Sequence, residues 1–142
     1  MLTRVLVPID DSPLATRALE HALDEWSDAE VVVLHVVDPL DAIYESEVGG
    51  PIEAERWYES KMEVTEDLFD RARERASEAG VSLRTATAVG NPGREIVRYV
   101  AANDVDHVVL GSHGRRGLER LVLGSVAERV LRRAEATVTV VR

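Results

Sequence analysis

The sequence predicts an α/β protein with an open five-stranded parallel sheet and helices on both faces. Strand-like and helix-like segments alternate along all 142 residues, a pattern typical of a parallel sheet. The segment Glu30–Val37 is apolar almost throughout, as expected for a strand that helices cover on both sides. Residues that start or stop helices stand between the segments, so each strand joins the next through a helix.

Five short apolar segments are predicted to be strands. They are Thr3–Ile9, Glu30–Val37, Val81–Val89, Asp106–Leu110 and Ala136–Arg142. Right-handed connections leave few arrangements for five such strands. We expect the first strand near the centre, the strand order 3-2-1-4-5, and a reversal of the connections between strands one and four.

Four helices are predicted from their end residues and from apolar spacing of three or four. Ser12 and Pro13 start the first helix, which runs through Ser27, and Gly80 ends the second. Asn91-Pro92 starts the third and Ser125 the last. The segment Asp38–Ala54 is predicted to be one long loop. The residues expected to face the core are Ala15, Ala18, Leu19, Ala22, Trp26, Tyr58, Met62, Thr65, Phe69, Ala72, Ala76, Ala79, Ile96, Val97, Val100, Ala101, Val126, Ala127, Val130, Leu131 and Ala134.

Composition limits the class of protein and its partners. We expect one domain over residues 1–142, because a chain of this length can bury a sizeable core. The absence of cysteine excludes disulfides and thiolate metal sites. The net charge of −9 disfavours nucleic acid and anionic membranes as partners. We expect no signal peptide and a soluble, cytoplasmic protein. Acid richness with the single lysine Lys61 favours adaptation to high salt over an ordinary acidic surface.

Three glycines and a serine form the most informative pattern in the chain. Gly111 and Gly114 are followed, after nine residues, by Gly124-Ser125. Glycine lets a phosphate approach main-chain amides closely, and a helix that begins at Ser125 adds the positive end of its dipole. Any one of these glycines alone is more typical of an ordinary turn. Together they predict two turns whose amides converge on one phosphate-binding pocket.

The predicted topology brings an acidic residue to the same place. The first strand ends in Pro8-Ile9-Asp10, and the fourth strand ends at Gly111. Ligands of open α/β sheets bind outside the carboxyl ends of the strands, where the connections reverse. Asp10 and the glycine turns are therefore expected to line one crevice, although Asp10 is also suited to cap the first helix.

These residues resemble a known family. Val5–Asp10, Val33–Asp38 and the G-x2-G-x9-G-S pattern resemble the ATP-binding subgroup of the universal stress protein family, and the resemblance covers essentially the whole chain. The fold it implies is Rossmann-like, of the adenine nucleotide alpha hydrolase-like kind. The function it implies is a nucleotide-dependent stress-response or signalling module.

The resemblance also implies a set of ATP-binding residues. Pro8 and Asp10 would border the adenosine, with the Asp10 carboxylate accepting from the ribose, and Val36 would meet the adenine through its main chain. The sugar side would be walled by Leu110 and Gly111. The residues implied around the phosphates are His113, Gly114, Gly124, Ser125 and Val126. Some members hold a divalent ion with the phosphates, so Mg²⁺ is a candidate cofactor beside ATP; no residue is expected to be catalytic or a metal ligand.

The family usually forms dimers by pairing its last strands, which implies a homodimer through Ala136–Arg142. A physical argument supports this, because an exposed strand edge is usually paired or protected and this one contains no proline. A monomer with the edge covered is the alternative.

Several residues allow two interpretations. His113 is suited either to donate to a phosphate or to point into solvent. Arg115, Arg116 and Arg120 would close over the triphosphate, bind a partner's carboxylates, or form salt bridges with the acidic surface, and we favour the last. The remaining histidines lack metal-ligand spacing and are expected to be ordinary structural residues: His21, His35 and His107.

Other functions compete with nucleotide-dependent signalling. One is slow ATP hydrolysis or phosphoryl transfer, which would need a positioned lysine or arginine; the chain has no G-x4-G-K-[ST] motif and no lysine in the glycine loop. A nucleotide-independent dimeric interaction protein is another. A phosphorylated receiver is excluded, because the third strand ends in Val89-Gly90-Asn91 where an aspartate is needed. A dinucleotide carrier is disfavoured, since no G-x-G-x-x-G follows the first strand.

Overall fold

A computed structural model describes residues 2–45, 51–113 and 123–142. Its five strands form one parallel sheet in the order β3-β2-β1-β4-β5. The strands are β1 (Arg4–Pro8), β2 (Glu30–Val37), β3 (Leu83–Val89), β4 (His107–Gly111) and β5 (Thr137–Val141). The predicted fold class, strand order and central first strand are confirmed.

Helices connect all the strands, and the amino ends of the first and of the one before β4 follow the predicted chemistry, whereas the first helix ends at Glu25 and not at the predicted Ser27. They are α1 (Pro13–Glu25), α2 (Asp41–Glu45), α3 (Pro51–Ala79), α4 (Pro92–Ala102) and α5 (Ser125–Arg133). The Ser12 hydroxyl accepts from the amide of Ala15 at 3.3 Å, and the Asn91 side chain accepts from the amide of Arg94 at 3.1 Å. Both residues are therefore N-caps, each followed by proline in the first helical position.

The prediction of one long loop over Asp38–Ala54 is wrong. Residues Asp41–Glu45 form α2, and α3 already begins at Pro51; residues 46–50 lie outside the described ranges. Pro51 suits the first position of a helix, where its missing N–H costs nothing. Asp38 forms the turn that precedes α2: its carboxylate accepts from the amide of Leu40 at 3.0 Å, and its carbonyl accepts from the amide of Asp41 at 3.0 Å.

Two apolar layers cover the sheet, one on each face. In the first, α1 and α3 pack on β1, β2 and β4; in the second, α4 and α5 pack on the opposite face. Four residues predicted to face the core are exposed instead: Tyr58, Ala79, Ala101 and Leu131. Ala101 and Leu131 directly follow the buried Val100 and Val130, and one residue rotates a helix by about 100°. Tyr58 and Ala79 lie outside the buried stretch of α3.

No helix in the described ranges combines the length and hydrophobicity that a bilayer span requires.

Candidate functional site

The chain reverses its winding direction between β1 and β4, which are neighbours in the sheet. The connection from β1 runs through α1 on one face, whereas the connection from β3 to β4 runs through α4 on the other. A crevice opens beyond the carboxyl ends of two such strands. Here those ends are Pro8 and Gly111.

Two turns meet at this crevice. The amide of Gly124 donates to the carbonyl of Ser112 at 2.8 Å, and Ser112 itself is buried and donates to the carbonyl of Val141 at 2.8 Å. A Cβ on Gly124 would lie 2.8 Å from the Ser112 oxygen and 3.4 Å from the Cα of His113. Contact this close requires glycine at position 124. The structure thus brings together both ends of the glycine pattern seen in the sequence.

The amino end of α5 lies at this junction, and no side chain of the described residues caps it. Its N-cap is Gly124, whereas α1 and α4 are capped by Ser12 and Asn91. The amides of the first turn of a helix have no intrahelical acceptor. The amides of Ser125 and Val126 therefore lie in an uncapped first turn, where the helix dipole favours an anion. His113 lies beside Gly124, with its Nδ1 3.1 Å from the Ser112 hydroxyl.

Gly111 is required for a different reason. A Cβ there would lie 2.8 Å from the Cβ of Leu14 and 3.2 Å from its carbonyl carbon. Packing of the first turn of α1 against the end of β4 therefore demands glycine without reference to any ligand. Leu110, the residue before it, is buried in the layer of α4 and α5.

Asp10 lies two residues beyond the carboxyl end of β1 and is partly buried. Its Oδ1 accepts from the amide of Ser12 at 2.9 Å, which orders the turn into α1. Ser12, and not Asp10, is the N-cap of that helix. The capping role considered for Asp10 therefore belongs to its neighbour, while Asp10 holds the turn at the crevice.

Val36 presents main-chain groups to the same crevice. The amide of Ile9 donates to the carbonyl of Leu34 at 2.9 Å, so the main chain of Leu34 faces β1. Alternate residues of a parallel strand face the same neighbour, and Val36 therefore faces the same way. Pairing of β1 with β2 ends at Pro8 and Leu34, so Val36 lies beyond the last pair. The side chain of Val36 packs in the layer of α4 and α5, as does that of Val126.

Gly114 and the arginines Arg115, Arg116 and Arg120 lie outside the described residues. Within the described ranges, no group of three or more histidine, aspartate or glutamate side chains is arranged to hold a metal ion.

Two histidines have specific structural roles. His107, the first residue of β4, is buried; its Nε2 lies 2.6 Å from the hydroxyl of Thr139 in β5, and its ring centroid lies 4.7 Å from that of Trp26. Burial, and secondarily the neighbouring His21, lowers the pKa of His107 from the usual 6.5. The Nδ1 of His35 lies 2.9 Å from the carbonyl of Ile9 at the crevice. Sequence reasoning missed this place for His35, although its position beside Val36 was a signal.

The fold and the crevice define a doubly wound α/β protein with uncapped main-chain amides at its switch point. A sequence model of the universal stress protein family matches residues 1–142. The chain therefore belongs to the universal stress protein family.

Individual relatives agree with this assignment. Universal stress protein MJ0531 of Methanocaldococcus jannaschii is 35% identical, over 98% of this chain and 81% of that protein. The solved structure of MJ0577, from the same organism, superimposes with a TM-score of 0.83 at 29% identity, covering 99% of this chain and 96% of that one. A universal stress protein family protein from Arabidopsis thaliana, solved with AMP bound, gives a TM-score of 0.71 at 22% identity over 97% and 90% of the two chains.

Proposed function

We propose that this protein binds ATP in the crevice between β1 and β4 and acts as a nucleotide-dependent stress-response or signalling module. One observation carries the proposal: the turn after β4 touches Gly124 at the uncapped start of α5. The main-chain amides of the first turn of α5 and the positive end of its dipole then lie at the same junction, and this combination suits a phosphate group.

The remaining groups of the crevice suit an adenosine. Pro8 ends β1 and Asp10 follows two residues later, and a carboxylate at this place is suited to accept from ribose hydroxyls. Val36 offers its amide and carbonyl beyond the last β1–β2 pair, where an adenine would bind. The phosphates would meet His113, Gly114, Gly124, Ser125 and Val126, with Leu110 and Gly111 on the sugar side. AMP in the Arabidopsis relative is consistent with an adenine nucleotide.

ATP is proposed over AMP because two turns, and not one, contribute to the phosphate side. Mg²⁺ would bind with the phosphates and reduce their mutual repulsion, as bound cations do at phosphate sites. The protein's own share is to orient the nucleotide and to replace part of the water around its phosphates.

We propose at most weak hydrolysis. Rapid phosphoryl transfer uses a cation aimed at the transferred group. The one lysine of the chain, Lys61, lies in α3 with its Nζ 5.7 Å from the ring centroid of Trp57. Lys61 therefore contacts Trp57 on α3, a helix of the first layer, and not the amino end of α5 where the phosphates would bind.

Equilibrium dialysis tests the proposal directly. The protein is dialysed against ATP with magnesium at low and at high salt, and inorganic tripolyphosphate and AMP serve as partial ligands. We expect saturable binding of one ATP per chain, with weaker binding of each partial ligand. Absence of ATP binding under all these conditions would refute the proposal, and rapid ADP release would favour the enzyme alternative.

We also propose a homodimer that pairs the edge strand β5 with its copy, through Ala136–Arg142. The carbonyl of Val141 accepts from Ser112 and the amide of Thr137 donates to Asp106 at 3.3 Å, so both residues face β4. By alternation, the main-chain groups of Val138 and Val140 point away from the sheet. Among the strands that the structure describes, β5 has a neighbour on one side alone, and unpaired strand edges promote association.

A further inference from the structure

His35 replaces a main-chain hydrogen bond at the end of the sheet. Its Nδ1 lies 2.9 Å from the carbonyl oxygen of Ile9. A carbonyl oxygen only accepts, so the Nδ1 of His35 must carry the proton of this bond. The imidazole therefore donates to the last carbonyl before Asp10, beside the crevice.

The regular continuation of the sheet would use that carbonyl differently. The amide of Ile9 donates to the carbonyl of Leu34, and in a parallel ladder the next bond would run from the amide of Val36 to the carbonyl of Ile9. The pairing of β1 with β2 ends at Pro8 and Leu34, so this next bond is absent. The ring of His35 occupies the acceptor that Val36 would otherwise use.

We propose that His35 is a positioning residue: by holding the Ile9 carbonyl, it keeps the main-chain amide of Val36 available to the adenine base of the bound nucleotide. The inference rests on the proposed ATP binding and deepens it. The amide and the carbonyl of one strand residue point to the same side. The amide can donate to a ring nitrogen of adenine, and the carbonyl can accept from the adjacent amino group. Without His35, the ladder would extend by one bond and consume the amide.

Substitutions at His35 separate this role from a merely structural one. In His35→Leu the donor is absent. In His35→Asn the side-chain amide nitrogen stands near the place of Nδ1, whereas in His35→Gln it stands near the place of Nε2. We expect His35→Leu and His35→Gln to bind ATP about 3- to 10-fold more weakly, the equivalent of one neutral hydrogen bond. His35→Asn should retain the wild-type affinity, and all variants should bind inorganic tripolyphosphate equally well.

Amide hydrogen exchange at Val36, followed by NMR without nucleotide, gives a second measurement. We expect slower exchange of this amide in His35→Leu and His35→Gln than in the wild type and His35→Asn, since a new bond to Ile9 would protect it. A structural lesion would speed exchange instead. If His35→Leu does not fold, the comparison of His35→Asn with His35→Gln gives the same information.

The outcomes distinguish the two proposals. A wild-type protein that binds neither ATP nor tripolyphosphate would refute the proposed function. A wild type that binds ATP, with His35→Leu and His35→Gln equal to it in ATP affinity and in Val36 exchange, would refute the role of His35 alone. Equal weakening of ATP and tripolyphosphate binding would also refute that role, because it would indicate general damage to the crevice.

Discussion

The amide of Gly124 donates to the carbonyl of Ser112 at 2.8 Å, and this bond joins the end of β4 to the start of α5. Both partners are main-chain groups, so the bond itself would form with many residues at position 112. Position 124, in contrast, requires glycine, because a Cβ there would lie 2.8 Å from the same carbonyl oxygen. Any side chain at position 124 must therefore move the two turns apart.

Gly124→Ala should abolish most of the nucleotide affinity. The added methyl group must displace Ser112 from the first turn of α5, and we expect ATP affinity to fall at least about 10-fold, with about 1–3 kcal/mol lost from the free energy of unfolding. Isothermal titration and urea denaturation measure the two effects.

Gly80→Ala is the matched control for that substitution. Gly80 has φ +70° and nothing within 4 Å of its Cβ position, so alanine there should cost about 1–2 kcal/mol of backbone strain. ATP affinity should not change. Equal affinities for Gly124→Ala and the wild type would contradict the assignment of the crevice.

Asp10→Ala should weaken ATP binding, whereas Asp11→Ala should not. The two substitutions remove the same charge from adjacent positions. Asp10 is partly buried and orders the turn through Ser12, and Asp11 is exposed. Loss of a charged acceptor for the ribose should cost about 10- to 100-fold in affinity. Similar losses in both variants would indicate a general electrostatic effect and would contradict a ribose contact.

Sequence patterns predicted the sheet well because each strand is a short apolar run between clear helix signals. Ser12 and Asn91 act as the N-caps that their residue types favour. The prediction of a loop was wrong at Pro51, because proline suits a loop and the first turn of a helix equally well. The sequence pattern also misplaced Leu131, since spacing alone does not show where the edge of a buried helix face lies.

The site was only partly predictable for a similar reason. Glycine spacing indicates a close approach but not its partner: Gly124 approaches Ser112, whereas Gly111 approaches Leu14 of α1. The bond of His35 to Ile9 lies at the point where the β1–β2 ladder stops. No periodicity in the sequence records this stopping point.

Leu6→Ala should destabilise the protein far more than Leu131→Ala. Leu6 is fully buried in the layer of α4 and α5, and Leu131 is 45% exposed. A large-to-small change in a packed core costs about 2–5 kcal/mol, and an exposed one about 0.5 kcal/mol or less. Urea denaturation gives both values. A large loss of unfolding free energy for Leu131→Ala in the monomer would contradict the exposed position of Leu131 on α5.

The unfolding free energy of the wild type should decrease as the pH is lowered from about 7.5 to about 5.5, in part because of His107. Burial lowers the pKa of His107 below 6.5 in the folded state. As pH falls through 6.5, the unfolded chain binds a proton at this residue while the folded protein still does not. Protonation of His107 therefore favours unfolding. This loss of unfolding free energy is absent at pH values above the pKa of the residue in the unfolded chain.

His107→Gln isolates that contribution, since the carboxylates titrate alike in both proteins. The variant should lose less unfolding free energy over this pH interval than the wild type does, as measured by urea denaturation at each pH. Identical losses would contradict a lowered pKa for His107.

Val140→Pro should convert the proposed dimer to a monomer without unfolding the sheet. The amide of Val140 points away from β4, so proline removes a donor from the free edge and leaves the β4–β5 ladder intact. Val140→Thr keeps the amide and the branched shape and should remain dimeric. Sedimentation velocity gives the oligomeric state, and circular dichroism shows whether the fold is retained. A Val140→Pro dimer with wild-type stability would show that the two copies associate through another surface, because antiparallel pairing of β5 requires this outward amide.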